Sequence, residues 1–101
     1  MPETVSPPRV EEVVKPARPP LHKVILLNDD YTPRNFVVRV LKAEFRMDEG
    51  GASRVMLTAH QRGSCVVAVF TREIAEEKAA RATDMAGREG YPLRFTTEPE
   101  N

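Results

Sequence analysis

The run HKVILLN (22–28) is apolar almost without a break and rich in β-branched side chains, then stops on an amide and two carboxylates, Asn28, Asp29 and Asp30. A short apolar run of this kind suits a central strand covered on both sides. Thr32 and Pro33 come next as a helix start, Thr as the cap and Pro in the first turn, where its missing N–H costs nothing. The polar triplet therefore sits in a strand-to-helix turn. Its adjacent acids repel each other, so a metal, a reaction, a partner's positive charge or plain solvent must compensate them, and which of these does so decides the function.

Phe36, Val37, Val40, Leu41 and Phe45 repeat at helical spacing, predicting an amphipathic helix over 33–46. A second helix carries Ala52, Val55, Met56, Ala59 and His60 on one core-facing stripe and ends at Gly63. Gly50 and Gly51 each weaken it by about 1 kcal/mol relative to Ala, so its first turn is expected to be loose. SCVVAVF (64–70) reads as a second buried strand. Thr71 then caps a third helix with Glu73, Glu76 and Glu77 near its start, favourable against the dipole. The apolar face of this helix is Ile74, Ala75, Ala79, Ala82, Met85 and Ala86, and Gly90 with Pro92 stops it. Leu93, Phe95 and Thr97 alternate as a last strand. The expected fold is α+β: a β-α-α-β-α-β layer with a three-stranded antiparallel sheet packed against three helices.

Six of the nine prolines lie in the first twenty residues, with three acids and three bases and few large apolar groups. Such a segment buries too little surface to offset its ordering entropy. Residues 1–20 are expected to be a disordered tail, and residues 21–98 the folded domain.

Composition excludes several functions. With 101 residues the chain holds one domain, and fifteen basic against fifteen acidic residues leave no net field to attract nucleic acid or anionic lipid. No apolar run approaches the roughly 18 residues of a membrane span, and no apolar segment follows the first Met as in a secretory signal. The single cysteine excludes an internal disulfide and suggests a reducing compartment. The expectation is a soluble, cytoplasmic monomer that binds neither nucleic acid nor membrane.

The residues also argue against catalysis. Cys65 lies in a Val/Ala strand with no His near it in sequence, and reads as a small buried hydrophobe. No nucleophile elbow or phosphate loop is present. Asp29, Asp30, His22 and His60 are the only candidate metal ligands, and their spacing fits no metal pattern. Adjacent carboxylates are also poorly placed to act across a substrate. No enzyme activity, metal or cofactor is expected. What remains is a polar turn that caps backbone N–H groups, or a small apolar cup formed by Val37, Met56 and Ala59 with a rim of Asn28, the two acids and His60. Such a cup suits a cationic amine attached to an apolar group.

The blocks KVILLNDDYTP, NFVVRVL, MLTAH, GSCVVAVFTREIAEEKA and YPLRFT, in that order, closely resemble the ClpS family of adaptors for the Clp protease. The resemblance covers about residues 21–97 and leaves only the proline-rich tail, which is variable and flexible in that family. It implies an adaptor that binds proteins with Leu, Phe, Tyr or Trp at the N-terminus and delivers them to the ClpA unfoldase and the ClpP protease. By position, Asn28, Asp29 and His60 match residues that hold the substrate's α-amino group and first peptide unit. Asp30, Thr32, Val37, Met56 and Leu93 match the side-chain pocket, and Glu73 and Lys78 match the surface that docks on the N-terminal domain of ClpA. On this reading the acidic turn awaits an ammonium.

Three positions depart from the family pattern. Arg34 stands where Met usually gates the pocket, Ala59 where Val is common, and Asn35 where Glu is usual. The first two belong to the pocket lining and bear on which first residue is preferred, Arg34 with its stem over the opening and its guanidinium in water. The alternative reading is an interaction module resembling the C-terminal domain of the ribosomal stalk protein, without recognition of the N-terminal residue.

Overall fold

The computed structural model describes residues 19–100; of the expected tail, only Pro19 and Pro20 lie within them. The elements are β1 (Leu21–Leu27), α1 (Arg34–Phe45), α2 (Glu49–Arg62), β2 (Ser64–Thr71), α3 (Arg72–Arg88) and β3 (Arg94–Pro99). The expected β-α-α-β-α-β order and three-stranded antiparallel sheet are both present. β1 lies centrally, between β2 and β3. It pairs with β2 from Leu21↔Thr71 to Leu27↔Ser64, with a shift between Val24 and Ile25 that makes Val67 the extra residue of a bulge. With β3 it pairs from His22↔Pro99 to Leu27↔Arg94.

The core lies between the helices and one face of this sheet. Val24 and Leu26 of β1 share one buried cluster with Val40 and Leu41 of α1, all at most 1% exposed. Burying a Leu side chain contributes about 1.5–3 kcal/mol. α3 presents Ala75, Ala79, Ala82 and Ala86 to the core, a stripe of small side chains that lets its backbone approach closely. Phe45 stacks near Phe95 at 5.5 Å between ring centres. Thr83 of α3 anchors β3 by accepting from the Phe95 backbone N–H at 3.0 Å.

Two expectations about the sheet need correction. β1 is not covered on both sides, and β2 is not a buried strand: Leu21, Val66 and Val69 are 39%, 46% and 38% exposed. α2 and α3 pack against the strands and α1 against those two helices, which leaves these side chains uncovered, and a continuous apolar run reads alike whether one face or both are covered. Ile74, expected on the buried face of α3, is also exposed, because the alanine stripe sets that face.

The helix starts differ as well. Pro33, not Thr32, is the N-cap residue of α1, and it makes no side-chain cap. Thr71 is the N-cap residue of α3 but likewise makes no side-chain bond. The first turn of α2, expected to be loose, is capped by Asp48, whose carboxylate accepts from the Gly51 N–H at 2.7 Å. At its other end Gly63 takes the left-handed conformation, φ 95°, and returns its N–H to the Ala59 carbonyl at 2.7 Å. The Gly63 carbonyl in turn accepts from the Asn28 N–H at 2.9 Å. This bond ties the end of β1 to the end of α2 and so sets His60 and Ala59 beside the polar triplet.

Candidate functional site

A cavity of about 240 Å³ opens where β1 ends, between α1 and α2. Its floor is apolar: Leu26, Val37, Ala59 and Leu93 are each at most 7% exposed. Leu27 and Met56 complete the walls. Asn28, Asp29, Asp30, Thr32, Arg34 and His60 form the rest of the lining, a polar rim above that floor. Every residue expected at the substrate site is thus brought to one cavity. Leu26 and Leu27 also line it and were not foreseen; strand alternation through β1 places Leu26 inward and was the signal available for it.

The rim is ordered by a local turn. Asp29 Oδ1 accepts from the backbone N–H groups of Tyr31 at 2.9 Å and Thr32 at 2.8 Å. The Thr32 hydroxyl lies 3.0 Å from Oδ1 and 2.9 Å from Oδ2. Thr32 therefore serves the carboxylate rather than capping α1. The turn that caps its own backbone and the rimmed cup coexist: two backbone amides engage Oδ1, the one Thr32 hydroxyl proton lies between the two oxygens, and Oδ2 keeps room for more. Asp30 is exposed beside it.

Across the mouth, Arg34 Nη2 lies 3.0 Å from His60 Nε2. Arg has donors only, so Nε2 carries the lone pair and the ring proton sits on Nδ1. This corrects two expectations. His60 is exposed at the mouth and does not face the core, and the Arg34 guanidinium is engaged with an imidazole instead of resting in water alone. A helical stripe does not reveal that its last member overhangs a cavity.

The remaining candidates lie elsewhere. His22 sits at the far end of β1, roughly 17 Å from Leu27 at ~3.4 Å per strand residue, so the four possible metal ligands do not converge. Among the described residues, no three His, Cys, Asp or Glu side chains form a metal-binding group, and no helix is long and apolar enough to cross a membrane. Cys65 is only partly buried, with Sγ 3.4 Å from the Val66 carbonyl, because β2 is an edge strand. Burial pushes its thiol above the ordinary value, with the nearby Arg62 guanidinium acting the other way. A raised thiol is the reverse of what a nucleophile needs.

Glu73 and Lys78 both stand on α3, away from the cavity. Glu73 is exposed. Lys78 is half-buried: its Nζ donates to the Glu44 carbonyl at 3.2 Å and lies 5.5 Å from the centre of the Phe70 ring.

Comparison with known proteins agrees with this architecture. Residues 17–96 match the family model described as ATP-dependent Clp protease adaptor protein ClpS. The adapter protein ClpS 1 of Bradyrhizobium diazoefficiens is 62% identical over 100 residues, covering 99% of each chain. ClpS 2 of Mesorhizobium japonicum is 60% identical with the same coverage. Among solved structures, Agrobacterium tumefaciens ClpS2, described as bound to L-phenylalaninamide, is 64% identical with a TM-score of 0.81, over 82% of this chain and 100% of that one. With the fold, the cavity and these likenesses in agreement, the chain belongs to the ClpS family of adaptors of the ATP-dependent Clp protease.

Proposed function

We propose that this adaptor recognises proteins with Leu, Phe, Tyr or Trp at the N-terminus, binding the free α-amine and the side chain together, and hands them to ClpA for degradation by ClpP. One observation carries this reading: a closed apolar floor and an acceptor-rich rim belong to the same small cavity. Its support from a relative is that Agrobacterium ClpS2 is described as bound to L-phenylalaninamide, an aromatic side chain with a free amine and no carboxylate.

The chemistry matches the parts. A free α-amine has a pKa of about 7.7–8.0 and is mostly an ammonium at neutral pH. Asp29 Oδ2, the Asn28 side-chain carbonyl and His60 are its proposed partners. Each charge-assisted bond is worth roughly 1.5–3 kcal/mol, and burying a Leu or Phe side chain adds about 1.5–3 kcal/mol. After the cost of association, these terms suit a micromolar complex of about −8 kcal/mol. While Arg34 holds Nε2, His60 offers Nδ1–H to the first peptide carbonyl; once Arg34 withdraws, Nε2 accepts from the ammonium. Asp30, Thr32, Arg34, Val37, Met56, Ala59 and Leu93 enclose the side chain.

For ClpA docking we assign the outer surface of α3. Glu73 is its cleaner probe, because Lys78 also serves α1 internally through the Glu44 carbonyl. Glu73→Lys should weaken capture by the N-terminal domain of ClpA and spare peptide binding. Deleting residues 1–20 should leave peptide binding intact, since the residues assigned to the pocket all lie beyond them, and should slow delivery.

The direct test of the reading is competition. L-phenylalaninamide should displace a fluorescent Leu-led peptide from the protein, while L-alaninamide should not. Failure of both, or equal displacement by both, would reject it in favour of an interaction module that uses only a helix surface.

A further inference from the structure

Beside the cavity runs a second depression of about 630 Å³ between α1 and the start of α2. Arg34 and Met56 line both, so the groove is a continuation of the cavity mouth. Its floor includes Val38, and its walls carry Arg39 and Lys42, with Glu49 the one carboxylate among the described residues that line it. Glu49 is already matched, since Lys42 Nζ lies 2.7 Å from its Oε1. Among the described residues neither Arg34 nor Arg39 has a carboxylate partner, so their guanidinium groups bring positive charge to the groove. The Arg39 guanidinium itself rests on the face of Phe36, its central carbon 5.3 Å from the ring centre, and the residue as a whole remains exposed.

We propose that this groove is a subsite for the residues immediately after the first residue of the substrate, and that it selects an acidic side chain at about the third position. The proposal rests on the reading that the cavity takes the first residue. From Arg34 to Lys42 the helix rises about 12 Å at ~1.5 Å per residue. An extended chain covers that span in roughly three to four residues at about 3.3–3.6 Å each. A peptide anchored by its amine at Asn28 and Asp29 and leaving past Arg34 therefore lays its next residues along Val38 and Arg39.

Charge gives the groove its preference. Arg34 stands at the mouth, where its guanidinium opposes the arriving ammonium. A carboxylate two residues downstream meets Arg34 and Arg39, offsets that repulsion, and makes a peptide with opposite charges at its two ends complementary to a rim that is acidic at β1 and basic along α1. A lysine at the same position meets like charge.

The experiment is a set of binding titrations on the full chain with three Phe-led peptides that differ only in Asp, Asn or Lys at the third position, each with a free or an acetylated amine. Among free-amine peptides, Asp should bind roughly two- to fivefold tighter than Asn at low salt, as exposed pairs allow, and Lys weaker than Asn. The gap should narrow as added salt shortens the screening length. In Arg39→Gln, an exposed change on α1, the Asp advantage should shrink towards none. Equal affinities for the three free-amine peptides, with the acetylated ones failing to bind, would overturn the subsite and leave first-residue recognition standing. An Asp advantage that persists unchanged in Arg39→Gln would also overturn it. Equal binding of free and acetylated peptides would overturn both readings.

Discussion

On the β1 side of the cavity mouth, the Asp29 carboxylate is fixed by the amides of Tyr31 and Thr32 and by the Thr32 hydroxyl. On the helical side, Arg34 and His60 meet through a single 3.0 Å contact between exposed side chains. A group held before the ligand arrives loses little freedom on binding, whereas a long exposed side chain must be ordered or displaced. The fixed side is therefore suited to affinity for the feature all ligands share, the ammonium. The adjustable side is suited to choosing among first residues and among the second and third residues behind them.

The comparison is open to attack by substitution. Asp29→Ala should have the largest effect, at least tenfold weaker binding of a Leu-led peptide, because one charge-assisted bond is lost at about 1.4 kcal/mol per factor of ten. It should also lower stability, since the Tyr31 and Thr32 amides lose their acceptor. Asp29→Asn sharpens the point: it keeps an oxygen for those amides and removes the charge, so affinity should fall while the melting temperature changes less than in Asp29→Ala. His60→Ala should weaken binding by about tenfold with stability unchanged, as its only side-chain bond among the described residues is an exposed one.

Raising the pH from about 7 to about 9.5 should weaken binding by roughly tenfold or more. The relevant group is the ligand's α-amine, whose pKa of about 7.7–8.0 is raised when an anionic rim binds it. Affinity is then complete below the free value and falls as the pH climbs through and above it. The Cys65 thiol, itself raised and outside the cavity, does not bear on this profile. An N-terminal amine whose binding is flat over that range would place the fixed side out of contact with it.

On the adjustable side, Arg34→Met combined with Ala59→Val should change the ratio of Phe-led to Leu-led affinity by more than twofold, towards Leu. An aromatic first residue fills the room beside Ala59 and stacks on the guanidinium, a contact worth about 0.5–1 kcal/mol at exposed sites. A ratio that stays within twofold would move selectivity away from this rim. The smallest effect on affinity is expected from Gly63→Ala, which keeps the backbone carbonyl that accepts from the Asn28 N–H. Its φ of 95° penalises any side chain, so about 1 kcal/mol of stability should be lost, measured by denaturant unfolding, with peptide affinity nearly unchanged.

Much of this fold could be read from the chain because local signals agreed. The apolar run of β1, the periodicity from Phe36 to Phe45, Gly63 and the alanine spacing of α3 each point to one element in one place. The one-sided cover of the sheet could not be read, because nothing in Val66 or Val69 says whether a helix will lie above it. The lining of the cavity was legible in its membership and less so in its wiring. Resemblance brought Asn28, Asp29 and His60 together, whereas the Arg34–His60 contact joins side chains 26 residues apart on two helices. Their meeting depends on how α1 crosses α2. Thr32 shows the same limit at short range: the pattern Thr-Pro signals a cap, yet the nearby Asp29 carboxylate is the partner its hydroxyl takes.

The central claim is that the Asn28, Asp29 and His60 rim seats a free amine above the apolar floor. Calorimetric titration of a Phe-led peptide against its N-acetylated twin tests it most directly, since the two differ only in the charge and donors of that amine. The free peptide should bind with micromolar affinity, on the order of −8 kcal/mol, and the acetylated one should show no measurable binding. Affinities within twofold of each other would contradict it.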